Sequence, residues 1–261
     1  MFSWVLSASL MLSAATISLG SSPQPATFST RLSQKTLPSK PSSTSSLGNL
    51  GWASSNWSGY ALASAVPGTY HQVSGQWIVP TVSGHKSSAS ASWIGIDGFN
   101  NANLIQTGTE QDIVHGHAQY YAWWEILPAS ETPIAMAVSP GDVMSASIAQ
   151  VSSTQWTIRI TNKTTGQVFS TTQTYTGPGQ SAEWIVEAPT IGSHIASLAS
   201  YGTTTFDQTS VNGMNPGLMT REGGYMIQHH HVVSVPSRPD GERDGFNIRY
   251  GTTMPPAPSG S

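Results

Sequence analysis

The chain has 261 residues, only 9% of them charged, with 10 Lys and Arg against 13 Asp and Glu for a net charge of −3. All the acids and all but three of the bases lie beyond residue 50, so the folded part is mildly acidic without a basic stripe, which argues against a nucleic-acid partner. The absence of cysteine excludes disulfides, thiolate metal sites and a cysteine nucleophile, and leaves the compartment open.

In chain order, Phe2 to Gly20 is an apolar stretch diluted by serine and alanine, with small-residue cleavage candidates at Ala14-Ala15 and Gly20-Ser21-Ser22 and no charge before Arg31. Residues 1–21 therefore read as a signal peptide, although a base ahead of the apolar run is missing. So many serines argue against a permanent span, and no stable membrane association is expected. Residues 22–50 are rich in Ser, Thr and Pro, carry Arg31, Lys35 and Lys40 and no acid, and show no apolar period, as in a linker or short propeptide. The three bases suggest a segment held by charge against the mildly acidic folded part.

From Trp52 onward short apolar or aromatic alternations recur every 10 to 15 residues or so between Gly, Pro, Asn and Ser turns. Clear cases are Tyr70–Val79, Ser92–Asp97, Ala118–Leu127, Gln155–Asn162, Glu183–Val186 and Gly245–Tyr250. Thr161 to Gly166 reads as a hairpin turn, and residues 252–261 as a frayed tail. No segment has a helical stripe, so residues 51–251 are expected to form one all-β domain, an antiparallel β-sandwich. Sparse charge suits acid, because few native ion pairs are there to be lost on protonation.

Strand alternation sorts the polar residues into faces. Trp93, Gly95 and Asp97 oppose Ile94 and Ile96, which read as core. Tyr121, Trp123, Glu125 and Leu127 oppose Tyr120, Ala122, Trp124 and Ile126, a strand covered on both sides. Glu183, Ile185 and Glu187 oppose Ala182, Trp184 and Val186, and the two glutamates stand about 13 Å apart along the strand. Leu104 and Gln106 share a face just before Gly108. On spacing alone, a solvated face or a structural hydrogen bond accounts best for Asp97, Glu110, Glu125 and Glu183.

Taken together, the blocks Asn56-Trp57-Ser58-Gly59-Tyr60, Trp93-Ile94-Gly95-Ile96-Asp97-Gly98, Ile105-Gln106-Thr107-Gly108, Ala122-Trp123-Trp124-Glu125 and Ala182-Glu183-Trp184-Ile185-Val186-Glu187 closely resemble the glutamic peptidase (eqolisin) family in order and spacing. The likeness runs from about Trp52 to Tyr250 and is weakest after Gly213. It implies a lectin-like jelly-roll sandwich of two bent sheets with a cleft on the concave face, protein and peptide substrates, hydrolysis in acid, and no metal or organic cofactor. With the signal peptide, a secreted, extracellular protein is expected, and it is expected to be a monomer. By motif, Gln106 and Glu187 match the catalytic pair, with Glu183 a same-face neighbour. Trp93, Asp97, Trp123 and Glu125 match cleft-lining residues, and Glu110 stands near a substrate-contacting aspartate of the family. Two departures stand out: Leu127 replaces an aromatic found in some members, and the missing cysteines with a short leader suggest a prokaryotic branch.

A carbohydrate-active sandwich is the main rival, since 9 Trp and a Trp-Trp-Glu strand suit sugar stacking and paired glutamates suit glycosidic chemistry. His115-Gly116-His117 and His229-His230-His231 lack a clear third ligand and read as surface histidines. No nucleophile elbow supports a serine triad, and the sequons at Asn56 and Asn162 say nothing without a compartment.

Overall fold

The computed structural model describes residues 31–32, 47 and 49–259, so the expected signal peptide and most of the 22–50 segment lie outside the described residues. The chain before the domain contributes β1 (Arg31–Leu32). The first half of the domain forms β2 (Trp52–Ser54), β3 (Trp57–Ala63), β4 (Gln72–Ile78), β5 (Ser88–Ile96), β6 (Ile105–Val114), β7 (His117–Ile126) and β8 (Thr132–Ile134). The second half forms β9 (Val143–Gln150), β10 (Gln155–Asn162), β11 (Gln167–Thr174), β12 (Ser181–Glu187), β13 (Thr190–Ile191), β14 (His194–Ile195), β15 (Thr203–Val211), β16 (Gly223–Gln228), β17 (His231–Pro236) and β18 (Phe246–Tyr250). A single 3-10 turn, Thr220–Glu222, precedes β16, and no helix among the described residues is long and apolar enough to cross a membrane.

The strands join in the order β11-β10-β9-β4-β15-β18-β17-β16-β3-β12-β5-β6-β7-β8, with β2 parallel to β16 and every other pair antiparallel. This ribbon doubles over into a sandwich, laying β4, β9 and β10 against β5, β6 and β12. Val73, Trp77, Met144, Ile148, Ile158 and Ile160 from one layer meet Ile94, Ile96, Ile105, Trp184 and Val186 from the other. Each such side chain contributes about 1.5–3 kcal/mol on full burial. Two indoles stitch the layers: Trp77 Nε1 donates to Thr109 Oγ1 at 2.9 Å, and Trp184 Nε1 to the Ser74 carbonyl at 2.7 Å.

The two layers differ in what their sequences allow. β4 and β9 alternate between buried and partly exposed residues, the pattern of a sheet with one wet face. β5, β6 and β12 are buried on both faces, and the small Ser, Ala and Gly residues of Ser88–Ile96 let their neighbours close over them. Their second face carries a separate aromatic cluster, in which Trp57, Trp93, Trp123, Tyr121, Leu104 and Ile185 pack together. The expected alternation of Ile94 and Ile96 against Trp93, and of Trp184 and Val186 against Ile185, is thus realised as a division between two cores.

The hairpin after Asn162 forms as expected. Asn162 is buried, its Oδ1 accepts from the Thr164 and Thr165 amides, and its Nδ2 donates to Asp142 Oδ2 at 2.7 Å. Within the segment expected to fray, Pro255 is buried, and Asn247 Nδ2 donates to the Pro256 carbonyl at 3.0 Å.

Candidate active site

The face that carries the aromatic cluster is a lattice of three rows set by strand register. One row runs Trp57, Glu187, Ala91, Glu110, Tyr121 across β3, β12, β5, β6 and β7. The next runs Gly59, Ile185, Trp93, Gly108, Trp123, and the third Ala61, Glu183, Gly95, Gln106, Glu125. Sequence alternation assigned these residues to faces; register now decides which of them meet. Gln106 lies beside Glu125 and shares a row with Glu183, while Glu187 shares a row with Glu110.

Gln106 is fully buried and its Nε2 donates to Glu125 Oε2 at 2.6 Å. That bond fixes the amide plane, and the carbonyl Oε1, also buried, has no hydrogen-bond partner in the protein. Glu187 is fully buried too, and each of its oxygens accepts a hydrogen bond. Trp93 Nε1 reaches Oε2 at 2.9 Å, and Asn56 Nδ2 reaches Oε1 at 3.2 Å. These two donors are an indole N–H and an amide N–H, both neutral, and they orient the carboxylate.

Trp93 links the rows. Its Nε1 edge holds Glu187, and its opposite edge lies over Gly95, where a Cβ would come within 2.9 Å of the ring. Gly95 is directly opposite Gln106. The indole therefore reaches from the glutamate to the edge of the glutamine's row. Gly108 makes that placement possible, because a Cβ there would stand 2.5 Å from the Trp93 Cβ and 2.3 Å from the Ser92 carbonyl oxygen. Trp57 packs edge-on against Trp93 with centroids 4.9 Å apart. The indole N–H groups of Trp57 and Trp123 are buried and have no protein acceptor.

Glu110, Asp112, Glu125, Glu183 and Glu187 all stand on this face, each at most 1% exposed. A concentration of carboxylates of this kind repels itself when ionised and is relieved in acid. Asp97 is engaged differently from the other residues marked in the sequence. It closes β5 with φ of 71°, and its two oxygens accept from Asn101 Nδ2, Tyr175 Oη and the Gly179 and Gln180 amides. It ties the 175–180 segment to the strand end. Burial first, then the Asp97 charge and its hydrogen bond, push the Tyr175 phenol far up, so that hydroxyl stays protonated. Leu127 packs at the margin of the aromatic cluster.

Sequence reasoning did not single out Asn56 as a site residue, although it lies in one of the family-like blocks. Its contact with Glu187 spans 131 positions of chain, and no local pattern encodes that. The histidine motifs are turn residues: His115-Gly116 joins β6 to β7, and His229-His230 joins β16 to β17, all four with positive φ. A carboxylate group lies outside this face. Asp207, Asp240 and Asp244 bring ligand oxygens within 4.8 Å of one another, and burial, followed by the Asp240, Asp207 and Glu242 charges, raises the Asp244 carboxyl above its ordinary range.

Comparison with known proteins gives this face a context. A family model described as the Peptidase A4 family matches residues 55–235. Aspergillopepsin-2 of Aspergillus niger is 29% identical over 181 residues, 59% of this chain and 62% of that protein. Scytalidopepsin B of Scytalidium lignicola is 32% identical over 139 residues, 51% of each. The chain thus matches between half and two thirds of the length of these relatives. Among solved structures, scytalido-glutamic peptidase with a transition state analog inhibitor superposes with a TM-score of 0.64 at 25% identity, over 76% of this chain and 98% of the other. Aspergilloglutamic peptidase from Aspergillus niger superposes at 0.53 and 24% identity, over 63% and 99%, a likeness of fold.

Proposed function

The chain belongs to the Peptidase A4 (eqolisin) family, and from that premise we propose that it is an exported endopeptidase that hydrolyses peptide bonds in acid through Gln106 and Glu187. The observation that carries the reading is the pairing of a glutamine amide oriented by Glu125 with a glutamate gripped by Trp93 and Asn56 on one face.

Peptide hydrolysis needs a nucleophilic water, a held oxyanion and a proton for the leaving amine. Ionised Glu187 takes a proton from water as the water oxygen bonds to the scissile carbonyl carbon. The Gln106 carbonyl accepts from that water, and the amide hydrogen not given to Glu125 steadies the oxyanion. Glu187 then returns the proton to the nitrogen as the C–N bond breaks, leaving a carboxylic acid and an amine. A histidine base would be protonated in acid, whereas a carboxylate near its usual value of about 4.3 keeps a basic fraction there. Trp93, Trp123, Glu110 and Glu125 would line the cleft, with Asp97 shaping its end. The buried indole N–H groups of Trp57 and Trp123 suit the backbone carbonyls of an extended substrate.

Register favours a second reading of the base. On flat strand geometry Gln106 and Glu187 are two strands and four residues apart, about 16 Å between Cα atoms, whereas Gln106 and Glu183 are about 10 Å apart across Gly95. The test is cleavage of denatured haemoglobin or casein from about pH 2 to 7 by the wild type and by Gln106→Ala, Glu187→Gln and Glu183→Gln, with pepstatin and a chelator as controls. The expected result is acid activity lost about 10²- to 10³-fold in Gln106→Ala, lost more in Glu187→Gln, and largely kept in Glu183→Gln. Loss in Glu183→Gln with activity kept in Glu187→Gln would move the base to Glu183. Absence of proteolysis from every form would return the rival sugar-binding sandwich.

A further inference from the structure

Beyond Glu187 the chain runs through Ala188 and Pro189 into the β13–β14 hairpin, whose end walls a pocket of ≈ 200 Å³. Its lining includes Ser55, Ile195, Ala196, Gln228, His229 and His230, and none of the lining residues is acidic. The pocket adjoins the Glu187 end of the face. Ser55 precedes Asn56, the donor to Glu187, the Ala188 amide bonds the Asn56 carbonyl at 2.8 Å, and the Ala196 amide bonds the Pro189 carbonyl at 2.9 Å.

The polar groups of this pocket are unequally committed. Gln228 uses both ends of its amide, accepting from the Leu198 amide and donating to the Ala196 carbonyl. His229 and His230 are exposed and form the two central residues of the β16–β17 turn, with φ of 50° and 66°. Turns with positive φ at both positions favour Asn-Gly, because a Cβ is disfavoured there. Here two imidazoles occupy those positions at the rim of a pocket, a kind of local strain that is concentrated at functional sites. Imidazole is the side chain that carries a cation in acid. His194 on β14 and His231 on β17 flank the site in the chain and carry the same chemistry. The hairpin also accepts an added strand, since Arg31–Leu32 pairs antiparallel with Ile191 and Thr190 on its outer edge.

We propose that this pocket is a carboxylate subsite of the cleft, in which His229 and His230 hold an acidic side chain or the C-terminal carboxylate of a bound peptide. The proposal rests on the peptidase reading and deepens it. The basis for it is a pair of imidazoles at the rim of a pocket that holds no acid, whose Ser55 and Ala196 walls are joined by chain and backbone bonds to the Asn56–Glu187 end of a carboxylate-rich face.

The test uses matched quenched peptides with Glu or Gln at each position around the cleavage site, each made as a free acid and as a C-terminal amide. They are compared on the wild type and on a His229→Asn/His230→Gly variant, whose Asn-Gly suits the turn. The wild type should show a kcat/KM ratio of about fivefold for Glu over Gln at one position, or for free acid over amide, the size of one exposed charge pair. That ratio should fall to about one in the variant. The two comparisons identify whether the side chain or the terminus supplies the carboxylate. A wild-type ratio near one, or a ratio that survives the double substitution, overturns the subsite and leaves the peptidase reading standing. The same peptides are titrated by calorimetry against Glu187→Gln with and without the histidine substitutions. If no peptide is cleaved, the peptidase reading fails; a fivefold affinity preference lost with the histidines then keeps the carboxylate site, and no preference overturns it.

Discussion

Replacing Trp93 by phenylalanine removes one bond together with the ring edge over Gly95, and a double-mutant cycle separates the two. The substitution deletes the Nε1–H that reaches Glu187 Oε2 at 2.9 Å, while an aromatic ring remains against Trp57. A hydrogen bond to a charged group is worth about 1.5–3 kcal/mol, which corresponds to about 10- to 100-fold in kcat/KM if the bond holds the base in its working position. Asn56 still holds the other oxygen at 3.2 Å, so the loss should stop short of that of Glu187→Gln. In a Glu187→Asp background the shorter carboxylate falls away from the indole, and the same tryptophan substitution should then cost less than about threefold. The four proteins of this double-mutant cycle are assayed for kcat/KM on one quenched peptide in acid, with thermal unfolding as the check that each is folded at the assay temperature. A loss below about threefold in the wild-type background, or an equal large loss in both backgrounds, would refute the claim that the indole acts through Glu187.

Gly108→Ala should lower stability by about 1–3 kcal/mol, the usual cost of overpacking, and Tm by about 2–12 °C for a domain of this size, because its Cβ meets atoms anchored in the neighbouring strand. Gly241→Ala, which faces open space, should shift Tm by less than about 1 °C; equal shifts would refute the packing argument. For Asp244, the folded carboxyl titrates above its unfolded value, so its ionised form destabilises the fold once the pH rises past the ordinary value of 3.8. Asp244→Asn should therefore raise Tm at pH 7 and leave it unchanged near pH 3, and an equal gain at both would contradict the sign. Charge pairing between Arg31, Lys35 and Lys40 and the carboxylate face predicts that a chain beginning at residue 47 is active in acid at once, while one beginning at residue 22 shows a lag that added salt shortens. Full acid activity with the segment still attached would refute that link.

Face assignment was legible in the sequence because strand side chains alternate regardless of what pairs with them. Ile94, Trp184 and Trp93 could be sorted from spacing alone, and the bounds of β10 could be placed to the residue. Which rows form was not legible, since register is fixed by long-range pairing. The distance from Glu183 to Glu187 along β12 followed from strand rise, but only the pairing of β12 with β5 and of β5 with β6 shows that Gln106 shares a row with Glu183. The contacts that orient the site join residues 19, 94 and 131 positions apart. Asp97 shows a different limit: the resemblance implied a place lining the cleft, and the bonds it makes to a loop some 80 residues later are linked to it by no local pattern. The short strands β2, β8, β13 and β14 carry no period in two or three residues, and longer ones such as β9 and β15 were not singled out either.

The burial of Asn56 and Asn162 bears on how the protein can be made. Both head sequons, and both are fully enclosed, one against Glu187 and the other against Asp142. A eukaryotic secretory pathway reads such tripeptides on the nascent chain, before any strand has formed, and attaches a bulky, hydrated glycan to the amide nitrogen. At Asn56 that nitrogen is the one that meets the glutamate, and at Asn162 it is the one that anchors a hairpin. Material from yeast or insect secretion would then be a mixture of chains able and unable to close, and a low specific activity in the proposed assay would reflect the host and not the sequence. Production in a bacterium, or replacement of Ser58 and Thr164 to silence the sequons, avoids this while leaving both asparagines in place.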